Sequence, residues 1–467
     1  MSQTGLHDLE LIELGRRLHA KEISPVEATR AQLERIAAFD RRLCSYALVT
    51  ADLALEQARV AEAEILKGNI RGPLHGVPIA VKDLCWTKGV PTAAGMTIHR
   101  DFRPKEDATV VRRLRDAGAV ILGKLQLTEG AYADHHPKIT PPVNPWNADH
   151  WSGASSSGSG VATAAGLCYG SLGSDTGGSI RFPSAANGVT GLKPTWGRVS
   201  RYGVFELAAT LDHIGPMARS AADCAAMLGA IAGADDHDPT ASQELVPNYL
   251  AGIRSGLKGV RIGVDADWNA KGSDAAVVRS VDAALKVVEG LGADIRPVRF
   301  PDPEQIIVDW IPNCAVETAV AHLATYPQRK SEYGPALAGL IDTGRALSGL
   351  DYQQILLRRN DFRGRVAKLF ETIDLLVVPA QPFASPTNAM MARLGVDPSL
   401  VQSLLRFTCP FDMTGSPTIT LPCAFTEQGT PLAFQFVAPH FAEEMLGRAG
   451  HAYQQATDWH RRHPALH

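Results

Sequence analysis

The stretch Asp175-Thr-Gly-Gly-Ser-Ile-Arg181 sets a serine behind two glycines and ahead of residues able to begin a helix. Cleaving an acyl bond requires a nucleophile, a base, and backbone donors aimed at the oxyanion that develops on the carbonyl. Gly177 and Gly178 carry no side chains, so the chain can turn tightly there and present consecutive N–H groups ahead of Ser179. A helix starting at Ile180 to Phe182 would add its positive N-terminal end. An ordinary N-cap serine fits the same residues. A candidate base lies far upstream, where Lys82 closes the apolar run Val77 to Leu84, "VPIAVKDL". Burial among such neighbours lowers an amine's pKa, which makes a neutral lysine available as a base near pH 7. A lysine snorkelling from a strand end, or paired with Asp83, fits that sequence too. Between the two lies Trp151 to Gly166, "WSGASSSGSGVATAAG", with the composition of a flexible linker. Its flanks are not a linker's: "NPWNADHW" precedes it, and it runs straight into Val161, Ala162 and Ala164.

Other chemistries find weaker support. Gly118 to Lys124 begins like a phosphate-binding loop, but Leu125 stands where Ser or Thr must hold magnesium, and the intervening residues are strand-like. Asp134-His135-His136 reads as a polar turn before Pro137, since adjacent histidines rarely converge on a metal. No Gly-x-Ser-x-Gly elbow is present, so a Ser-His-Asp arrangement is not the obvious template.

These candidates need a scaffold, and the periodicity supplies an α/β one. Ser24-Pro25-Val26-Glu27 is an N-cap with a capping box, opening a helix that carries Ala28, Leu33 and Ile36. A second, Ala-rich helix is predicted from about Leu53 to Lys67, and another from Thr109 to near Gly118. Short apolar runs at 77–84, 119–122, 260–266 and 373–382, and two late ones in "SPTITLPC" and "PLAFQFVA", read as buried strands. The fold class is therefore α/β, a central mixed β-sheet covered by helices on both faces. The chain reads as one domain over 1–467, with a helical segment at 1–70, a catalytic core at 72–220, and a helical insertion at about 303–368 that shapes a pocket. Its 467 residues are 45% hydrophobic and 20% charged, enough for a sizeable core. A net charge of -3 gives no reason to expect nucleic acid or an anionic membrane. Seven scattered cysteines and a polar N-terminus unlike a secretory signal point to the cytoplasm.

Taken together, "GVPIAVKDL", "SGASSSGSG" and "GSDTGGSIRFPSAANGVTGLKPTWGRVSRYG" strongly resemble the amidase signature family, over about Gly72 to Ala438. The resemblance implies Ser179 as acyl-forming nucleophile, Lys82 as base, and Ser155, after a cis peptide bond from Ala154, as the serine bridging them. It makes the N–H groups of Thr176, Gly177, Gly178 and Ser179 the oxyanion donors, and pairs Asp175 with Arg181 to fix the loop. The family usually carries Gly-Gly-Ser-Ser-Gly-Gly at the first serine loop, so Ala154 and Ser157 depart from its pattern. Neither a metal nor an organic cofactor is implied. The expected substrate is a small-molecule amide or carbamate, and the one assembly considered is a homodimer. Ala131, Tyr132, Phe182 and Trp310 are the expected substrate contacts, with Glu129 to His136 and Thr408 to Pro417 as further walls. The alternative within the family is the glutaminase component of a tRNA-dependent amidotransferase, which releases ammonia from glutamine. Against it, Phe182 stands where those proteins usually carry glutamine. A catalytically idle binding protein on the same scaffold is the alternative of another class.

Overall fold

The structure, a computed structural model, describes residues 5–394 and 397–466. Its strands are β1 (Tyr46–Val49), β2 (Pro78–Lys82), β3 (Val120–Leu125), β4 (Gly170–Asp175), β5 (Thr190–Lys193), β6 (His213–Ala218), β7 (Arg261–Val264), β8 (Asp294–Pro297), β9 (Leu375–Pro379), β10 (Thr418–Phe425) and β11 (Pro431–Val437). They form one sheet in the order β1-β3-β2-β4-β6-β5-β10-β11-β9-β7-β8. The trios β3-β2-β4 and β9-β7-β8 are parallel and the remaining pairings antiparallel, so the sheet is mixed as expected.

Side chains on successive strand residues point to opposite faces, and the core obeys this. On β2, Ile79 and Val81 join the larger apolar cluster with Val110 and Leu114 of helix Thr109–Asp116. Ala80 joins a second cluster with Ile36, Ala58 and Val161, which come from helices Pro25–Leu43, Ala51–Leu66 and Ser157–Ala164. Helices therefore cover both faces, which is why the strand reads as an unbroken apolar run. Lys82 shares the parity of Ala80 and so faces the helix that follows the first serine loop. The N-cap at Ser24 is present, its side chain accepting from Val26 N–H and Glu27 N–H while Glu27 reaches back.

The apolar runs found six of the eleven strands. Among the others, β4 ("GSLGSD") is composed of small residues because neighbours lie close on both sides. A Cβ on Gly170 would come within 2.5 Å of the Met227 sulfur. Ser171 and Thr163 share a hydroxyl hydrogen bond at 2.9 Å with the helix above. The edge strands β1 and β8 are four residues each and only partly buried, too short to show a period.

The segment read as an insertion holds three α-helices, Glu304–Ala321, Pro335–Ala346 and Gly349–Leu369, and a short 3-10 turn at Lys330–Glu332. The first two meet at Gly344, where a Cβ would stand 1.9 Å from the Ala315 carbonyl oxygen. Gly364, on the third helix, has nothing within 4 Å of that position. Glycine in an exposed helix ordinarily costs roughly 1 kcal/mol against alanine. Gly364→Ala should therefore raise the thermal midpoint. Gly344→Ala should lower it by forcing the helices apart, at about 1–3 kcal/mol. Equal shifts for the two variants in thermal unfolding would contradict this packing.

Candidate active site

Lys82 ends β2 beside the parallel β4, so the carboxyl ends of both strands open onto the same edge, where α/β sheets place their ligands. The lysine is wholly buried and its Nζ lies 2.7 Å from Ser155 Oγ, 2.8 Å from Ser156 Oγ and 2.7 Å from Ser174 Oγ. No carboxylate is within hydrogen-bonding distance of it among the described residues. Asp83 pairs instead with Lys124 at 3.4 Å. Burial brings the Lys82 ammonium down to about 7, against weaker opposing pulls from Cys85, Asp175 and Asp212. A neutral amine keeps two donors and one lone pair, so one surrounding hydroxyl must then turn and donate to it. Ser156 Oγ already donates to the Ser174 carbonyl, which leaves Ser155 and Ser174 free to do so.

The first serine loop is ordered and buried. The Ala154–Ser155 peptide bond is cis, as the resemblance implied. The Ser155 carbonyl accepts from Thr128 N–H, and Ser156 N–H donates to the Ser179 carbonyl at 3.3 Å, tying the two serine loops together. Small residues are required there because a Cβ on Gly153 would meet the Pro183 backbone at 2.4 Å. Packing, and not linker flexibility, explains the composition.

In the second loop and its surroundings, every residue from Ser152 to Thr195 is buried except Ser179. A short helix, Arg181–Asn187, follows it with Ile180 at the N-cap position and no side-chain cap, so Ser179 is not a capping serine. The Asp175 carboxylate accepts from Gly178 N–H (2.7 Å), Ile180 N–H (2.9 Å) and Arg181 Nε (3.0 Å). Gly178 therefore departs from the expected set of oxyanion donors: its N–H braces the turn against Asp175. The N–H groups of Thr176, Gly177 and Ser179 find no acceptor among the described residues.

Arg181 is shared between Asp175 (Nη2–Oδ1 2.8 Å) and Asp412 (Nη2–Oδ2 2.5 Å), and its Nη1 donates to the Thr408 carbonyl. Burial alone would raise Asp175, but the Arg181 charge and hydrogen bonds outweigh it and hold the carboxyl well below the usual range. Burial pushes Asp412 well above that range, with Asp175 adding to the rise. Thr408 to Pro417 thus sits behind the loop instead of walling a pocket, a correction to the sequence reading. Its Asp412 carboxylate and Thr408 carbonyl anchor Arg181. Ser156, Ser174 and Asp412 were not singled out from sequence as site residues. Ser156 and Ser174 lie inside the motif blocks, and Asp412 had no signal beyond being a lone carboxylate in an apolar segment.

Ser179 opens onto a cleft of about 500 Å³, within the range of small-molecule sites. Ala131, Tyr132, Phe182 and Trp310 line it as expected. Of the Glu129 to His136 segment, Ala131 to Ala133 contribute. Leu394 and the helix Pro398–Leu405 supply a wall that the sequence reading did not assign. Asp397 is the one charged side chain among the described lining residues, and Arg393, Ser399 Oγ and Leu400 N–H engage it.

A mixed α/β sheet with a buried lysine and two serine loops at its carboxyl edge defines a class of acyl-bond hydrolases, and the comparisons agree. The family profile Amidase matches residues 27–446. The candidate amidase AmiD of Mycobacterium tuberculosis is 49% identical over 467 residues, covering 100% of this chain and 98% of its own. The A component of the glutamyl-tRNA(Gln) amidotransferase of Moorella thermoacetica is 39% identical, with 99% of each chain covered. The solved peptide amidase of Stenotrophomonas maltophilia superposes with a TM-score of 0.84 at 31% identity, covering 98% of each chain. The chain belongs to the amidase signature family, and amide hydrolysis is the chemistry it shares with that family.

The Lys82 environment carries a stability signature. Below pH 7 folded and unfolded chains both hold the Lys82 proton, and folding must bury the charge. Between about 7 and ~10.4 only the unfolded chain holds it, so wild-type stability gains through that window as pH rises. Lys82→Met lacks this dependence. The thermal midpoint of wild type minus that of Lys82→Met should therefore grow from about pH 6.5 to 9.5; a constant difference would contradict a neutralised Lys82.

Proposed function

We propose that the chain hydrolyses the C–N bond of a small, uncharged, largely apolar amide or carbamate through a Ser179–Ser155–Lys82 relay. The observation that carries this reading is the wholly buried Lys82, hydrogen-bonded to hydroxyls only, behind the one serine of the site that is not buried. Neutral Lys82 takes a proton from Ser155, Ser155 takes one from Ser179, and the Ser179 oxygen attacks the carbonyl. The free N–H groups of Thr176, Gly177 and Ser179 receive the oxyanion. The relay then returns its proton to the leaving nitrogen, and water cleaves the acyl-enzyme. Each step uses groups of the chain, with no metal or organic cofactor assigned a part.

The lining favours an uncharged substrate. Four aromatic side chains, Tyr132, Trp151, Phe182 and Trp310, face the cleft, and no lysine or arginine lines it among the described residues. An amino acid such as free glutamine would bring a carboxylate into that space with no cation to receive it. The amidotransferase reading, which the 39% relative keeps in view, is the weaker one for that reason. A screen of aryl acylamides, primary aliphatic amides, carbamates and glutamine should rank glutamine last.

The roles separate by substitution. Ser179→Ala should lose nearly all turnover and keep its fold, and peptide mapping of a stalled wild-type reaction should find the acyl group on Ser179. An adduct on Ser155 would reverse the two serines. Activity should rise with pH with a midpoint near the Lys82 value of about 7. Lys82→Arg should be inactive at every working pH, because guanidinium does not surrender its proton. Substantial activity in Lys82→Arg would remove lysine as general base.

A further inference from the structure

Trp310 lies outside both serine loops, on helix Glu304–Ala321, and is nearly buried. Its indole Nε1–H donates to the Thr176 carbonyl at 2.8 Å. Its ring lies against Gly177, where a Cβ would be 2.4 Å from the ring carbon Cζ2. The Thr176–Gly177 peptide is not among the cis bonds, so its carbonyl and its N–H point in opposite directions. Whatever holds the Thr176 carbonyl therefore aims the Gly177 N–H. From this we infer that Trp310 is a positioning residue for the oxyanion site, an inference resting on the amidase reading of the Ser179 loop above.

The rest of the environment makes the indole a firm anchor. Thr176 Oγ1 donates to Asp212 at 2.6 Å, and Asp212 also accepts from Leu207 and Ala208 N–H, so the Thr176 side chain is held as well as its carbonyl. The helix carrying Trp310 is itself tied down one residue earlier, where Asp309 accepts two hydrogen bonds from Arg358 at 2.7 and 2.8 Å. The tryptophan has two separable functions: its ring walls the cleft, while its N–H fixes a peptide plane. Phenylalanine keeps most of the first and removes the second.

The two functions divide between KM and kcat. With 4-nitrobutyranilide as probe, Trp310→Phe should lower kcat by about 10- to 100-fold, a part of the loss that follows removal of an oxyanion donor, and leave KM within about 2-fold. Phenylboronic acid, which forms a tetrahedral adduct on a serine nucleophile, should lose inhibition of Trp310→Phe in parallel with kcat/KM. Gly177→Ala, which pushes the ring away from the other side, should repeat the kcat loss and covers the case of a Trp310 variant that fails to fold. A Trp310→Phe enzyme with wild-type kcat, or one altered in KM alone, would overturn the inference and leave Trp310 a wall. A wild-type enzyme that neither turns over the anilide nor acylates Ser179 would instead overturn the amidase reading beneath it.

Discussion

The site depends on keeping one amine out of water. An ammonium buried without a counter-charge is costly, and a protein holding such a lysine shifts it toward the neutral form. Burial lowers all three wholly buried lysines among the described residues, and what sets Lys82 apart is the chemistry of its partners. Lys124, on the neighbouring strand β3, has the Asp83 carboxylate at 3.4 Å and the Cys85 carbonyl at 2.5 Å, both acceptors that suit a cation, beside one hydroxyl, Thr92 Oγ1 at 2.9 Å. Lys193 ends β5 with its Nζ on the Ser416 and Pro194 carbonyls, acceptors only, although burial brings it down to about 7 as well. Lys82 alone of the three has hydroxyls as its only partners among the described residues, and these can accept from an ammonium or donate to a neutral amine. Its surroundings are satisfied in either protonation state, as a group that cycles a proton requires.

Around that amine the architecture serves closeness. The parallel pairing of β2 with β4 brings the lysine and Ser174 side by side, and small residues let the Ser155 loop pass between β2 and the helix Arg181–Asn187. The Ser179 loop is then braced by charge. An ionised Asp175 gathers N–H donors from its own turn and the fork of Arg181, and Arg181 spans to Asp412 on a distant part of the chain. The two loop glycines have a second reason to be glycine. A Cβ on Gly177 would strike Trp310, and one on Gly178 would come within 2.3 Å of the Phe182 ring. The Trp310 and Phe182 rings thus pack against the two glycines of the turn.

Local patterns carried far in the sequence, and long-range ones did not. The capping box at Ser24, the buried run of β2 and the helical character of 303–368 were legible because each rests on neighbours in the chain. The strand β4 was not, because its residues are chosen for close approach to Met227, Met217 and helix Ser157–Ala164, contacts that no period records. Lys82 against Asp83 was ambiguous for the same reason: only the fold shows that Asp83 turns to Lys124. Asp412, which meets Arg181 across 231 residues of chain, and Trp310, which reaches the Thr176 carbonyl across 134, are pairings made by tertiary structure alone. The assignment of Thr408 to Pro417 as a pocket wall failed likewise, since its carboxylate faces inward to the guanidinium.

Every step proposed for this site turns on a neutral Lys82 in the folded protein at working pH. NMR titration of protein labelled with 13C at the lysine Cε reads that state without recourse to turnover, the Lys82 resonance being the one lost in Lys82→Met. Its midpoint should fall near 7, the value that burial imposes, far from the ~10.4 of a free lysine. A Lys82 signal that stays in its ammonium position through about pH 9, as an unshifted lysine would, contradicts a neutral base.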